Sequence, residues 1–289
     1  DHVKGNQIHC VTLAGGTFSN NKGLNLQGGG LAADALTKKD LDDLKTAVAL
    51  EADYIAISFP KNAQDILSAK ALVKKAGGTA SIVAKIERAE AIDNLETLIE
   101  ASDAIMVARG DLGVEVGDAA VPGLQKRMIR MARAQNKLVI TATQMMESMI
   151  SSPIPTRAEV SDVANAVLDG TDAVMLSAET ASGQYPLETV QAMHRVCVEA
   201  EKEYEGLHPA ERRVDRLQHT DEATAAAAIF TSQHFKVKAI AALTQSGNAA
   251  QWLSRADSSV PIYALSPDKV ARRKLTLHRN VFPFPIEHS

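Results

Sequence analysis

The chain has 289 residues, of which 45% are hydrophobic and 23% charged, a composition typical of a globular protein with one large domain and a smaller one. A net charge of −4 and an aromatic content of 4% give no basis for a nucleic-acid surface, so we expect no nucleic-acid partner. No apolar run approaches the roughly 18 residues of a membrane span, so we expect no membrane partner either. The distant Cys10 and Cys197 are predicted to be free thiols in a reducing, cytoplasmic compartment rather than a disulfide.

Residues 1–30 are rich in Gly and Asn and contain short alternating stretches such as residues 8–13. This pattern is typical of the last strands and turns of a β-rich domain. The chain begins with Asp1 and shows no signal-peptide pattern, and we expect it to be part of a longer protein.

From Thr37 onwards, predicted helices alternate with short apolar strands. Thr37 precedes an acidic first turn at Asp40, which is the pattern of a capped helix start. The predicted strands are 53–59, 81–87, 103–108, 137–143 and 172–177, and the later helices are 62–77, 88–101, 121–135, 159–169 and 186–204.

This alternation predicts an α/β fold with parallel strands and right-handed crossovers. Polar residues follow five successive strands at their C-terminal ends, where (β/α)8 TIM barrels build their active sites. We therefore favour a TIM barrel over residues 31–203, comprising strands four to eight. A doubly wound open sheet is the alternative.

A charged connection containing proline separates this region from a second α/β unit, which we place at 204–289 and expect to be incomplete. Its predicted elements are helices at 221–234 and 248–256, strands at 237–243 and 261–265, a short helix near 267 and an apolar strand at 281–285.

Lys85 and Glu87 lie two residues apart and therefore share one side of their strand. An ammonium there suits a transferring phosphoryl group, although a simple salt bridge at the strand end is the alternative.

Asp111 follows the next strand in a predicted glycine-flanked turn, where the Gly110 and Asp111 amides are free to bind an anion. Its carboxylate, together with Glu87, suits Mg²⁺ or Mn²⁺; an ordinary loop with a capping Asp is the alternative.

Thr143 ends the following strand, and its hydroxyl can bind a carboxylate or relay a proton, unless it is simply a β-branched strand residue. Ser177 and Glu179 end the last barrel strand, where a serine is often only a helix cap. The eight histidines show no metal-ligand spacing, so a zinc site is not expected.

Three segments resemble the pyruvate kinases of bacterial type: "VAKIERAEAIDNLETLIEASDAIMVARGDLGVEVG", "ITATQMMESMISSPIPTRAEVSDVANAVLDGTDAVMLSAET" and "NNKGLNLQGGG". The resemblance implies a TIM barrel, a β-rich lid inserted after barrel strand three, and a C-terminal α/β regulatory domain. It also implies that this chain lacks the first three barrel strands, most of the lid and the C-terminal end.

The same resemblance implies a phosphotransferase of glycolysis that converts phosphoenolpyruvate and ADP into pyruvate and ATP, working as a homo-oligomer, a tetramer. By this resemblance Lys85 stabilises the transferring phosphoryl group, and Glu87 and Asp111 bind Mg²⁺ or Mn²⁺. The substrate carboxylate is held by Gly110, Asp111 and Thr143, a proton reaches the enolate through a network containing Ser177, and Lys22 approaches the nucleotide. K⁺ is a further possible cofactor whose site lies outside this chain.

The stretch 243–253, "LTQSGNAAQWL", places Thr244, Ser246 and Gly247 between a strand and a helix. Hydroxyls and amides at a helix N-terminus suit a phosphate. The stretch resembles the effector loop of pyruvate kinases, which implies a sugar phosphate or nucleoside monophosphate as effector; an ordinary capped turn is the alternative.

Two other functions remain open from the sequence. A Mg²⁺-dependent pyruvate-enolate aldolase or lyase can use the same kind of carboxylate site on the same barrel. A non-catalytic binding protein predicts losses among Lys85, Glu87, Asp111 and Thr143, all of which are present.

Overall fold

The computed structural model describes residues 2–17, 27–28, 35–207 and 219–287, with only the backbone of 204–207. The described part begins with an antiparallel hairpin of β1 (His2–Lys4) and β2 (Gln7–His9). Gly5 lies in the turn with φ +63°, a conformation that glycine adopts without strain. The predicted alternation over residues 8–13 therefore forms a strand only as far as His9.

A five-stranded parallel sheet forms the centre of the larger unit. Its strands follow one another in space in the same order as in the chain, whereas a doubly wound sheet reverses that order. The predicted (β/α) barrel architecture is therefore the one found. The strands are β3 (Tyr54–Ile57), β4 (Ser81–Ile86), β5 (Ala104–Ala108), β6 (Leu138–Ala142) and β7 (Ala173–Val174).

Helices separate and follow these strands. They are α1 (Lys38–Ala49), α2 (Ala63–Lys75), α3 (Ala89–Asp93), α4 (Leu95–Ala101), α5 (Arg109–Val116), α6 (Val121–Ala134), α7 (Arg157–Leu168), α8 (Ala178–Ala181) and α9 (Pro186–Leu207). The single helix predicted over 88–101 is divided at Asn94, so that prediction was wrong in detail.

Two helices begin with reciprocal caps. At α1 the Thr37 hydroxyl accepts from the Asp40 amide, and the Asp40 carboxylate accepts from the Thr37 amide, as predicted. At α7 the same arrangement joins Thr156 and Glu159. Helix α7 therefore begins two residues before the predicted start at 159.

The central sheet is buried on both faces, as expected for parallel strands. Alternate residues such as Ile82, Ala84 and Ile86 pack among the surrounding helices. The opposite face carries a separate apolar cluster that includes Val83, Met106 and Ile140. Lys85 shares this second face, two residues beyond Val83, and pairs in register with Met106.

The second unit contains a parallel three-stranded sheet in the order β10-β9-β8. Its strands are β8 (Ile240–Leu243), β9 (Ile262–Ser266) and β10 (Val281–Pro285), and its helices are α10 (Thr220–His234), α11 (Asn248–Arg255) and α12 (Lys269–Leu275). Pro283 and Pro285 lie in β10 at the edge of this sheet, where a missing amide costs least.

Ion pairs join the two units at the N-terminal ends of the barrel strands. The Arg255 guanidinium donates to both carboxylate oxygens of Asp172, at 2.7 and 2.8 Å, and both side chains are buried. Burial alone would raise the pKa of Asp172, but Arg255 holds it below its ordinary value. Arg273 makes a second contact with Asp53 across the same boundary.

His278 is buried beside this ion pair and gives a test of the contact by pH. Burial lowers the pKa of His278 to about 4; Arg255 adds to the lowering and Asp172 opposes it. Because the unfolded chain takes up this proton near pH 6.5 and the folded chain does not, stability falls as the pH drops from 6.5 to 4. We expect a loss of about 2–3 kcal/mol in the free energy of unfolding over this range.

Urea unfolding of the full-length protein at a series of pH values measures this loss. The free energy of unfolding should fall less steeply between pH 6.5 and 4 in His278→Gln than in the wild type. The exposed His234→Gln serves as the control and should leave the slope unchanged. An identical slope in His278→Gln would contradict the assignment.

Within the described residues, no helix is long and apolar enough to cross a membrane. Both cysteines are free thiols, as predicted. Burial raises the pKa of Cys197 to about 11, so this thiol is a weak nucleophile at neutral pH.

Candidate active site

Lys85 and Glu87 meet at the C-terminal end of β4. The Lys85 ammonium lies 2.7 Å from Glu87 Oε1 and also donates to the Ser58 hydroxyl, at 3.1 Å, just beyond the end of β3. The Lys85 side chain is 26% exposed, whereas that of Glu87 is 1% exposed. The two residues therefore form a contact, as their spacing predicts, at the edge of the sheet where barrel enzymes place their chemistry.

The Glu87 carboxylate is held by a backbone amide as well as by lysine. Its Oε2 accepts from the Phe59 amide at 2.8 Å, and Phe59 adopts a left-handed conformation with φ +53°. Burial raises the pKa of Glu87 and repulsion by Asp111 adds to the rise, while Lys85 and the Phe59 amide oppose it. Asp111 therefore lies near enough for its charge to act on Glu87.

Helix α5 begins immediately after β5, and this corrects the predicted glycine-flanked turn. Gly110 and Asp111 lie in its first turn, where backbone amides have no partner within the helix. The Gly110 amide donates to the Thr143 hydroxyl at 2.8 Å, so it is not free to bind an anion in this structure. An incoming carboxylate would have to share or replace that hydrogen bond.

Thr143 follows β6 in a strained backbone conformation. Its φ is +65°, and the next residue, Gln144, also has a positive φ of +54°. Such values are uncommon for a β-branched residue and persist only where the surroundings fix them. The Thr143 hydroxyl accepts from Gly110 and donates to the Ala142 carbonyl at 2.6 Å. The Thr143 side chain therefore contacts the first turn of α5.

Arg109 contacts Thr143, and no role for this arginine was predicted from the sequence. This buried guanidinium donates to the Thr143 carbonyl, with Nη2 at 2.6 Å, and forms two bonds to the Asp162 carboxylate of α7, at 2.7 and 2.6 Å. Asp162 lies 53 residues away in the chain. The guanidinium therefore ties β5, the end of β6 and α7 together.

The residues present fit a hard divalent cation. Within the described ranges no group of three or more His, Cys, Asp or Glu side chains is placed to hold a metal. The two carboxylates expected from the sequence, Glu87 and Asp111, carry oxygen ligands of the kind that Mg²⁺ and Mn²⁺ prefer, and a bound cation would offset the repulsion of Glu87 by Asp111.

Comparison with known proteins identifies the family of the chain. The family model "Pyruvate kinase, barrel domain" matches residues 1–190, and "Pyruvate kinase, alpha/beta domain" matches residues 222–289. The first match alone covers more than half of the chain. The chain belongs to the pyruvate kinase family.

Curated pyruvate kinases are similar along almost all of the chain. The pyruvate kinase of Buchnera aphidicola subsp. Schizaphis graminum is 53% identical over 281 residues, which is 96% of this chain and 58% of that protein. Pyruvate kinase II of Salmonella typhimurium is 52% identical over 286 residues, 97% and 59% respectively. The Haemophilus influenzae pyruvate kinase is 51% identical over 284 residues, 96% and 59%. The chain thus spans somewhat over half the length of these relatives.

Two further site predictions from the pyruvate kinase resemblance concern Ser177 and Lys22. Ser177 lies at the N-terminal cap of α8, and its amide donates to the buried Glu179 carboxylate at 2.7 Å. Glu179 also accepts from the Met146 amide at 3.4 Å, so Ser177 is joined through it to the segment after Thr143. Lys22 lies outside the described residues.

The effector residues predicted from the pyruvate kinase resemblance lie apart from this cluster, at the start of α11. The Thr244 hydroxyl accepts from the Gly247 amide at 2.9 Å, and Gly247 is left-handed with φ +95°. Ser246 and Gly247 line a cleft of about 860 Å³ between the second unit and the N-terminal ends of the barrel strands. In this structure the loop is a capped turn that borders an open cleft.

Proposed function

We propose that the full-length protein transfers the phosphoryl group of phosphoenolpyruvate to ADP, giving pyruvate and ATP. The observation that carries this proposal is the joint position of Lys85, Glu87, Asp111 and Thr143 at the C-terminal strand ends of a pyruvate kinase family barrel. Phosphoryl transfer is catalysed mainly by positioning and by charge neutralisation, and this cluster supplies both.

Lys85 neutralises charge on the transferring phosphoryl group. Its ammonium is only partly exposed, and a charge acts more strongly in such a site than in water. The ammonium has three N–H groups and, among the described residues, two partners, Glu87 and Ser58, so a donor would remain for a phosphoryl oxygen.

Glu87 and Asp111 would hold the divalent cation. Bound there, Mg²⁺ or Mn²⁺ would supply charge neutralisation for the substrate's carboxylate and phosphate oxygens. Gly110, Asp111 and Thr143 would hold the substrate carboxylate, with the Gly110 amide and the Thr143 hydroxyl exchanging their mutual hydrogen bond for bonds to the substrate. Ser177 would belong to the polar network that delivers a proton to the enolate.

The other parts of the proposal follow from the family and the described arrangement. Residues 1–30 would end a lid domain, 31–203 would supply barrel strands four to eight, and 204–289 would belong to a regulatory domain. The protein would act in the cytoplasm as a homo-oligomer, a tetramer, with Lys22 near the nucleotide. K⁺ would be a further cofactor, with its site outside this chain.

Initial-rate assays of the full-length protein test the proposed reaction. Pyruvate should form from phosphoenolpyruvate only when both ADP and Mg²⁺ or Mn²⁺ are present, and omission of any one component should abolish it. Pyruvate formation that does not require ADP would favour a lyase or a phosphatase instead.

The loop at α11 gives a prediction about regulation. We expect a sugar phosphate or a nucleoside monophosphate to bind at Thr244, Ser246 and Gly247 and to lower the phosphoenolpyruvate concentration needed for half-maximal rate. A coupling of about 1–3 kcal/mol corresponds to a change of roughly 5–150-fold. Substrate saturation with candidate effectors measures this change in the wild type and in Thr244→Ala/Ser246→Ala.

The double variant should lose most of the activation. Ser258→Ala is a matched control, because Ser258 also supplies a hydroxyl to a turn of the same unit, through its bond to the Val260 carbonyl at 2.6 Å. Activation that persists undiminished in the double variant would place the effector elsewhere.

A further inference from the structure

The end of β3 contacts both charged residues of the phosphoryl site. Ser58 accepts a hydrogen bond from the Lys85 ammonium at 3.1 Å, and the next residue, Phe59, donates its amide to Glu87 at 2.8 Å. Phe59 is left-handed, with φ +53°, which is uncommon for an aromatic residue. A conformation of this kind at a strand end indicates a functional constraint on the segment.

In the part of the chain that the structure describes, Lys85 contacts two partners of different kinds. Glu87 Oε1, at 2.7 Å, is an anionic partner and also belongs to the candidate metal site. The Ser58 hydroxyl, at 3.1 Å, carries no net charge. When a divalent cation also binds Glu87, the carboxylate neutralises Lys85 less fully than it does alone, and the cation and the ammonium repel each other. Because the hydrogen bond to Ser58 does not depend on that charge, we expect it to persist when a cation binds.

We propose that Ser58 is a positioning residue that holds the Lys85 ammonium towards the transferring phosphoryl group when Glu87 is engaged by a divalent cation. The inference rests on the proposed function of the site. Ser58 acts through Lys85 and does not touch the reacting atoms. Its hydroxyl accepts from one of the three N–H groups of the ammonium, and a donor remains for a phosphoryl oxygen.

Ser58→Ala removes the hydroxyl from a half-buried strand end and should leave the fold intact. In the full-length protein we expect kcat for phosphoryl transfer to fall about 10-fold, the size typical for one lost hydrogen bond to a charged group. Mn²⁺ affinity should be unchanged, and Ser58→Thr, which keeps a hydroxyl, should restore most of the rate. Ser102→Ala is the control: it removes a buried hydroxyl of the same barrel, bonded to the Leu98 carbonyl at 2.7 Å, and should leave kcat unchanged.

A binding cycle tests the inference without turnover. The dissociation constant of inorganic phosphate is measured by calorimetry with Mn²⁺ present in the wild type, Ser58→Ala, Lys85→Met and the double variant. When Lys85 is present, Ser58→Ala should weaken phosphate binding severalfold. In the Lys85→Met background the same change should weaken it by less than about 2-fold, because Ser58 acts on phosphate by positioning Lys85. Equal effects in both backgrounds, or no effect in either, would overturn the inference. If the effect of Ser58→Ala depends on Lys85 but the enzyme forms no ATP, the inference stands and the proposed function is refuted.

Discussion

Lys85→Met in the full-length protein is expected to lower kcat for phosphoryl transfer by about 10²–10³-fold, the usual effect of removing one preorganised charge from a transition state. Methionine keeps the length and much of the volume of the side chain but cannot neutralise the phosphoryl oxygens. The exchange of pyruvate methyl protons should survive in part, since enolisation depends more on the metal site at Glu87 and Asp111. Both rates are measurable in the same preparation, one by a coupled assay and the other by NMR in ²H₂O.

Lys70→Met is a matched control for this change. Lys70 also forms an ion pair with a carboxylate, Asp103, at 2.7 Å, and its side chain is 34% exposed compared with 26% for Lys85. The Lys70–Asp103 pair lies at the other end of the sheet, where Asp103 immediately precedes β5. Lys70→Met should therefore leave phosphoryl transfer unchanged. Equal loss of phosphoryl transfer and proton exchange in Lys85→Met would show that Lys85 does not act on the phosphoryl group.

Glu87→Gln and Asp111→Asn should each weaken Mn²⁺ binding by at least about 10–100-fold, because each removes one of two protein carboxylates from the site. Both substitutions preserve the shape of the side chain and one carbonyl oxygen, so the loss of Mn²⁺ affinity reports the contribution of the negative charge. Mn²⁺ titration followed by electron paramagnetic resonance gives the affinity directly and does not require activity.

Glu115→Gln controls for the loss of a buried carboxylate. Glu115 is 3% exposed and accepts from the Ala89 amide at 2.8 Å, on the short segment that follows Glu87. We expect its replacement to lower stability but to leave Mn²⁺ affinity within about 2-fold. Unchanged affinity in both Glu87→Gln and Asp111→Asn would move the metal site away from this cluster.

The strand ends explain why part of this site is predictable from sequence. Lys85 and Glu87 are two residues apart in a strand, so their common side and their contact follow from strand geometry alone. The alternation of strands and helices similarly predicts the parallel sheet, and its sequential order follows once the barrel is assumed.

Contacts between distant segments were not predictable in the same way. Arg109 was visible as a polar residue at a strand end, but its partner Asp162 sits on a helix 53 residues later, and no local pattern joins them. The Gly110–Thr143 hydrogen bond is of the same kind, at a separation of 33 residues. It depends on the left-handed backbone of Thr143, which is an unfavourable conformation that local propensity argues against.

The start of α7 is a different case, because its signal was present in the sequence. Thr156 is followed three residues later by Glu159, which is the pattern of a capping box, and the structure contains both reciprocal bonds. The predicted start at residue 159 is therefore two residues later than the start that this cap fixes. The division of the helix predicted over 88–101 had no comparable signal, since the Asn94 side chain does not cap the start of α4 and instead donates to the Glu90 and Lys61 carbonyls.

The fate of the phosphorus atom tests the central claim most directly. Full-length protein is incubated with phosphoenolpyruvate, ADP and Mg²⁺, and the reaction is followed by ³¹P NMR, with Lys85→Met and Lys70→Met in parallel. We predict that the phosphoenolpyruvate resonance declines in the wild type and in Lys70→Met, that the γ-phosphate of ATP grows by an equal amount, and that both changes nearly vanish in Lys85→Met. Phosphorus that appears as inorganic phosphate, or ATP that forms as fast in Lys85→Met as in the wild type, would contradict the account.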